Sequence, residues 1–197
     1  MDKIVLKDDL LLAKGGERFC FVHPEDKLKI IKILNPELKK HNQQNQLEYD
    51  YYQFLYSNYN VDDLLNIARC YGWVNTNYGQ GLMFQRILDY DGEQSKHLRY
   101  YLRNNFLSKE QEHYLLNDLK IFLEKNNVLF IDVSTVNLFC KRINENDYRL
   151  IIFDGLGGRR KGIKSTIYMK SKFYSKYKIK KQWKKFLLNY ANDKSHA

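Results

Sequence analysis

The chain has little of what breaks, staples or anchors a fold. Its 197 residues include only two prolines and ten glycines, too few for a low-complexity or disordered chain. The cysteines, Cys20, Cys70 and Cys140, are odd in number and far apart. No pair has metal-ligand spacing, so reduced thiols inside apolar runs are expected. No stretch reaches the roughly 18 consecutive apolar residues needed to span a bilayer. The start of the chain, Met1 to Asp9, lacks the basic and apolar regions of a signal peptide. These absences predict a cytoplasmic protein. The most uneven absence is that of acids near the C-terminus. From Gly155 to Ala197 there are thirteen Lys or Arg and one acid, Asp193, whereas the rest of the chain carries a slight negative excess. The basic segment 159–185 is then either a solvated helix or a surface for an anionic partner. That partner could be phospholipid, lipopolysaccharide, nucleic acid or an acidic protein. An anionic membrane would place the protein peripherally at the inner membrane.

What is present is enough for a core. Hydrophobic residues make up 44% of the chain and aromatics 15%, with sixteen tyrosines. Apolar alternation predicts strands over Ile4–Leu12, Phe19–His23 and Leu28–Leu34, with Gly15 and Gly16 in the first turn. Lys32 sits between Ile30 and Leu34 on one strand face and needs a partner if buried. Pro36 opens a helix of about Glu37 to Tyr59, with Glu48 at the edge of its apolar stripe. Two more strands, Asn66–Asn75 and Gly81–Ile87, complete a five-stranded meander. A polar connector, Leu88 to Gly92, marks a boundary between residues 1–88 and 89–197. Helices are expected at about Gln94–Asn104 and Ser108–Asn126, the latter with a capping box from Ser108 to Gln111. A long helix of about Lys164 to Tyr190 should pack Ile167, Phe173, Tyr174, Tyr177, Trp183, Phe186 and Leu187 against the others.

The most informative stretch is Val128 to Gly157. Two apolar strands flank the polar break Asn144–Asp147, a hairpin pattern. Asp132 and Asn137 precede it, and Asp154 followed by Gly155 ends it. Short polar side chains at strand ends can hold a metal and phosphates. Asn137 and Asp154 are hard oxygen donors suited to Mg²⁺. Asp132 can accept the proton of a hydroxyl acceptor, and Lys32, oriented by Glu48, can hold phosphate oxygens of ATP. A glycine turn at Gly15-Gly16 can bring backbone N–H groups to a nucleotide.

In this order the residues resemble the protein-kinase-like superfamily. More closely, Cys20 to Asp26, Ile31-Lys32-Ile33, Glu48 with Tyr51-Tyr52, and Asn137 to Cys140 with the Asp154 turn resemble the YrbL family of PhoP regulatory network proteins. The resemblance covers about Leu10 to Leu188. It implies an α+β, bilobal, kinase-like fold: a five-stranded antiparallel N-lobe with one helix, and a reduced, mostly helical C-lobe. It also implies a likeness to small bacterial kinases that phosphorylate lipopolysaccharide-core sugars. The implied roles are catalytic Asp132 and Lys32; nucleotide contacts from Gly15, Gly16, Lys32, Glu48, Arg86 and Ile87; and metal ligation by Asn137 and Asp154. The expected function is Mg²⁺- and ATP-dependent transfer to a hydroxyl of a small or lipid-linked acceptor. Phe130-Ile131 in place of His-Arg or His-Gly, Ser134, and Asp154-Gly155-Leu156 support an alternative: a pseudokinase serving as a regulatory nucleotide- or protein-binding module. Only 43 residues follow Asp154, too few for a peptide-binding platform. A nucleic-acid role is disfavoured because the basic tail strongly prefers Lys to Arg and carries no recognition motif.

Overall fold

The structure, a computed structural model, describes residues 3–35, 37–38, 43–158 and 171–196. It is a mixed α/β fold. Five antiparallel strands, β1 (Leu11–Lys14), β2 (Arg18–Val22), β3 (Lys29–Leu34), β4 (Cys70–Thr76) and β5 (Gly79–Gln85), form a sheet in the order β1-β2-β3-β5-β4. Helix α1 (Gln44–Asn58) connects β3 to β4. The first expected strand is shorter and later than its apolar pattern suggested. Asp8–Leu10 forms a 3-10 turn, and Ile4 instead makes a single parallel bridge to Thr76. Helix α1 begins at Gln44 rather than near Glu37, and the expected helix-opening Pro36 lies outside the described residues.

Strand alternation divides the sheet into two faces. Phe19, Phe21, Ile31 and Ile33 point one way and cluster with Leu6. Ile30, Leu82 and Phe84 point the other way, into the main core under α1. Lys32 belongs to this second set, because it pairs with Cys20 on β2 and Leu82 on β5. Sheet register therefore buries an ammonium beneath α1.

After β5 the chain turns sharply at Asp89–Gly92. The Asp89 carboxylate is buried, accepting from Ser95 Oγ at 2.5 Å and pairing with Arg142 at 2.9 Å. The helix expected over Gln94–Asn104 is only partly helical. Lys96–His97 is a short strand, β6, and α2 runs Leu98–Arg103. Residues 96–97 pair with Phe139 and Cys140 instead of continuing a helix. Helix α3 (Lys109–Lys125) starts at the capping box on Ser108, where Ser108 Oγ accepts from Gln111 N and Gln111 Oε1 accepts from Ser108 N. It ends at Asn126, and Asn127 takes a left-handed φ of 48°. The expected hairpin forms as β7 (Leu138–Arg142) and β8 (Tyr148–Ile152), with Asn144 Oδ1 accepting from the N–H groups of Asn146 and Asp147.

Helix α4 (Lys172–Lys194) closes the fold. Its expected apolar side is mostly not buried. Phe173, Tyr174, Tyr177 and Leu187 face solvent, and Ile167 lies outside the described residues. The packed stripe is Ser175, Ile179, Gln182, Phe186 and Asp193, with Trp183 half-buried beside it. Its polar members meet polar neighbours: Ser175 Oγ donates to Asn127 Oδ1 at 3.4 Å, Gln182 to a loop carbonyl, and Asp193 pairs with Arg99 and Arg103. One hydrophobic cluster, from Ile30, Leu82 and Phe84 through Leu119 and Leu138 to Phe186, spans the boundary expected near residue 88.

Candidate functional site

A cleft of about 530 Å³ opens between the sheet and the segment that follows α3. Gly15 and Gly16 form one lip; Asp132, Asp154 and Gly155 lie on the other wall, with Arg18 at the base. The glycine turn, Asp132 and Asp154 are thus brought together from three distant parts of the sequence.

Asp154 is held by a buried charge network. Lys32 Nζ lies 3.1 Å from Glu48 Oε1, donates to the Phe153 carbonyl at 2.7 Å, and stands 4.2 Å from the centre of the Phe84 ring. Arg18 was not singled out by the sequence. It ion-pairs with Glu48 through Nη1 and with Asp154 Oδ1 through Nη2 at 2.6 Å. Asn45 fixes both cations, accepting from Arg18 at 3.3 Å and donating to the Lys32 carbonyl at 2.9 Å. The signal for Arg18 was its parity: residues 18, 20 and 22 share the β2 face that opposes Lys32. Burial pushes the Asp154 carboxyl up, but the charges of Lys32 and Arg18 outweigh it and bring it from 3.8 to about 2.

Beyond Asp154 the same wall is a set of close backbone approaches. The N–H groups of Ile131 and Asp132 both donate to the Gly155 carbonyl, at 2.8 and 3.0 Å. Asn137 Nδ2 donates to the Asp132 carbonyl at 2.9 Å, and Phe153 N donates to the Asn137 carbonyl at 3.2 Å. Gly155 has φ +82°; a Cβ there would lie 2.8 Å from Asp132 Cβ and 3.2 Å from Asn137 Nδ2. Only glycine lets the Asp132 backbone and the Asn137 amide approach the turn after Asp154 this closely. From behind, α4 steadies the loop. Gln182 Nε2 donates to the Ile131 carbonyl at 2.5 Å and Asn189 Nδ2 to the Val133 carbonyl at 2.7 Å, on either side of Asp132.

Arg86 and Ile87 do not line this cleft. Arg86 Nε turns to Gln94 at 2.9 Å and its Nη1 to the Lys27 carbonyl at 3.3 Å. Ile87 is buried with Ala68 and Ile151, and its carbonyl accepts from Ser95 N and Gln94 Nε2. The basic turn at Arg159, Arg160 and Lys161 lies outside the described residues. Among the described residues, no His, Cys, Asp or Glu trio is arranged to hold a metal, and no helix is long and apolar enough to cross a membrane.

A five-stranded antiparallel sheet with one inserted helix, a buried Lys–Glu–Arg–Asp network and an Asp-bearing loop define a mixed α/β protein with a polar cleft between its sheet and that loop. The chain belongs to the PhoP regulatory network protein YrbL family, whose model matches residues 4–191. It is 28% identical over 189 residues to the uncharacterized protein YrbL of Escherichia coli (strain K12), covering 93% of this chain and 86% of that protein. The uncharacterized protein YrbL of Shigella flexneri matches with the same identity and coverage.

Proposed function

We propose that the protein is a minimal kinase-like phosphotransferase that uses ATP and Mg²⁺ to phosphorylate a hydroxyl of a small or lipid-linked acceptor, such as a lipopolysaccharide-type sugar. In this reading the five-stranded sheet with α1 is the nucleotide lobe of a bilobal kinase-like fold. The carrying observation is the buried Lys32–Glu48 pair close to Asp154, with Gly155 packing the Asp132 loop and the Asn137 amide against the turn that follows Asp154. The donor set fits the group. A carboxylate and an amide are hard oxygen ligands, and Mg²⁺ commonly takes only one or two protein oxygens and leaves the rest to phosphates and water. Magnesium ATP would supply the transferable phosphoryl group. Asp154 and Asn137 would hold the metal, and Lys32, oriented by Glu48, would present positive charge to phosphate oxygens. The Gly15-Gly16 turn forms the outer lip, where backbone N–H groups can approach a nucleotide. Asp132 would accept the acceptor hydroxyl proton.

Nucleotide binding by calorimetry and phosphoryl transfer to sugar and lipid-linked acceptors test the reading. Asp132→Asn should lower turnover by about 100-fold or more, and Asp154→Ala should remove the metal dependence of nucleotide binding. Binding that ignores both Mg²⁺ and these substitutions rejects the proposal.

Arg18 favours a second reading, a regulatory nucleotide- or protein-binding pseudokinase. Its guanidinium already pairs with Asp154 and shares Glu48 with Lys32, so the carboxylate that would hold the metal is engaged by the protein itself. If this engagement silences the site, Arg18→Ala gains metal-dependent turnover that the wild-type protein lacks. Robust wild-type phosphorylation of any acceptor removes this second reading.

A further inference from the structure

The outer face of α4 has no role in the cleft or the core. At 100° per residue, positions 173, 177, 180, 184 and 188 form one stripe. That stripe reads Phe173, Tyr177, Lys180, Lys184 and Leu188, with Lys181 and Lys185 at its edge. Phe173 is 78% exposed, Tyr177 61% and Leu188 72%. The four lysines are exposed, and none is ion-paired among the described residues. The only acid of the helix, Asp193, points inward, where Arg99 and Arg103 pair with it and Thr135 donates to it. The face is therefore cationic, free of acid, and set with large apolar groups.

We propose that this face docks on an anionic phospholipid bilayer, with α4 lying in the plane of the interface. Each side chain has a use there. Lysine heads meet lipid phosphates while their methylene stems and Phe173, Tyr177 and Leu188 enter the acyl boundary. A nucleic-acid backbone would satisfy the lysines but give Phe173 and Leu188 nothing to bury against. The stripe also lacks arginine, the side chain that holds phosphates in bidentate fashion. The twelve-charge excess of the last 43 residues supplies the long-range attraction. The inner face of the same helix grips the carbonyls flanking Asp132, so docking would set the orientation of the cleft relative to the lipid surface.

The test is co-sedimentation of the full chain with phosphatidylcholine vesicles with and without phosphatidylglycerol, at low and high salt. Binding should require the anionic lipid and weaken with salt. Lys180→Gln with Lys184→Gln should weaken it by roughly fivefold per charge removed. Leu188→Asn, which leaves the charge unchanged, should also weaken it. All three positions are exposed, and an unchanged thermal midpoint verifies that each variant is folded. Equal binding to neutral vesicles, no binding to either kind, or an affinity unaffected by these variants overturns the proposal. Retention by duplex DNA without vesicle binding also overturns it and assigns the face to nucleic acid. The assay contains no nucleotide, so its outcome is independent of phosphoryl transfer.

Discussion

Replacing Glu48 by Gln is the sharpest probe of the charge network. The carboxylate lies between two buried cations, 3.1 Å from Lys32 Nζ and in direct contact with the Arg18 guanidinium. With Asp154, the four groups sum to zero charge; Gln leaves an excess buried positive charge. At an effective dielectric near 20, the Lys32–Glu48 attraction alone is about 5 kcal/mol before desolvation. Removing one partner of a buried pair has a net cost of about 3–5 kcal/mol, because the remaining charge stays buried without compensation. For a chain of this size each kcal/mol is worth about 2–4 °C, so the thermal midpoint should fall by about 10 °C. Differential scanning calorimetry measures this, with the exposed Glu124→Gln as a control expected within about 0.5 kcal/mol of wild type. A dry pair is weakly screened, so the loss should persist in high salt. A fall under about 2 °C, or one that disappears with salt, refutes the reasoning that the network is desolvated.

Gly155→Ala should cost about 1–2 kcal/mol from its left-handed φ alone and more from the collision with Asp132; calorimetry should show a midpoint lower by about 4 °C or more. Gly16→Ala, which would meet nothing within 4 Å, should be near neutral. His97 is stacked on Phe139 with its centroid 5.0 Å away, and burial pushes its pKa below the usual value. Its neutral form is favoured in the fold, so its stabilisation is full above the unfolded pKa of about 6.5 and is lost as pH falls below that value. A midpoint-versus-pH series should be flatter there for His97→Leu than for wild type. Burial raises the thiols of Cys20 to about 11 and Cys70 to about 12, and raises that of Cys140 as well. An aromatic disulfide reagent should therefore titrate the native protein slowly in mildly alkaline buffer and count three thiols at once in denaturant.

The period-2 pattern of β2 and β3, the glycine-bearing turn and the Ser108 box were legible because their signals are local. The Lys32–Glu48 pair could be read because a lysine among isoleucines needs an anion, and α1 offers Glu48 on its inward side. Arg18 is not legible in the sequence because it abuts the Gly15-Gly16 turn and reads as part of it; its partner Asp154 lies 136 residues away. The buried side of α4 departs from its apolar pattern for a related reason. Aromatic residues outnumber other apolar groups in that segment, but the loop below offers carbonyls and the neighbouring helix offers arginines. Gln182, Asn189 and Asp193 answer those groups, which leaves Phe173 and Tyr177 outside.

Tyr51 lies one turn beyond Glu48 on α1. Its hydroxyl accepts from Leu129 N at 2.7 Å, and its ring sits beneath Gly157, where an added Cβ would come within 2.6 Å of it. The helix that carries Glu48 is therefore clasped at both ends of the loop containing Asp132 and Asp154. An outward swing of α1 would break the Leu129 bond and remove the ring supporting Gly157 along with the Lys32 partner. Through Tyr51, the placement of the Glu48 helix and the placement of the Asp132 loop are thus tied to one another.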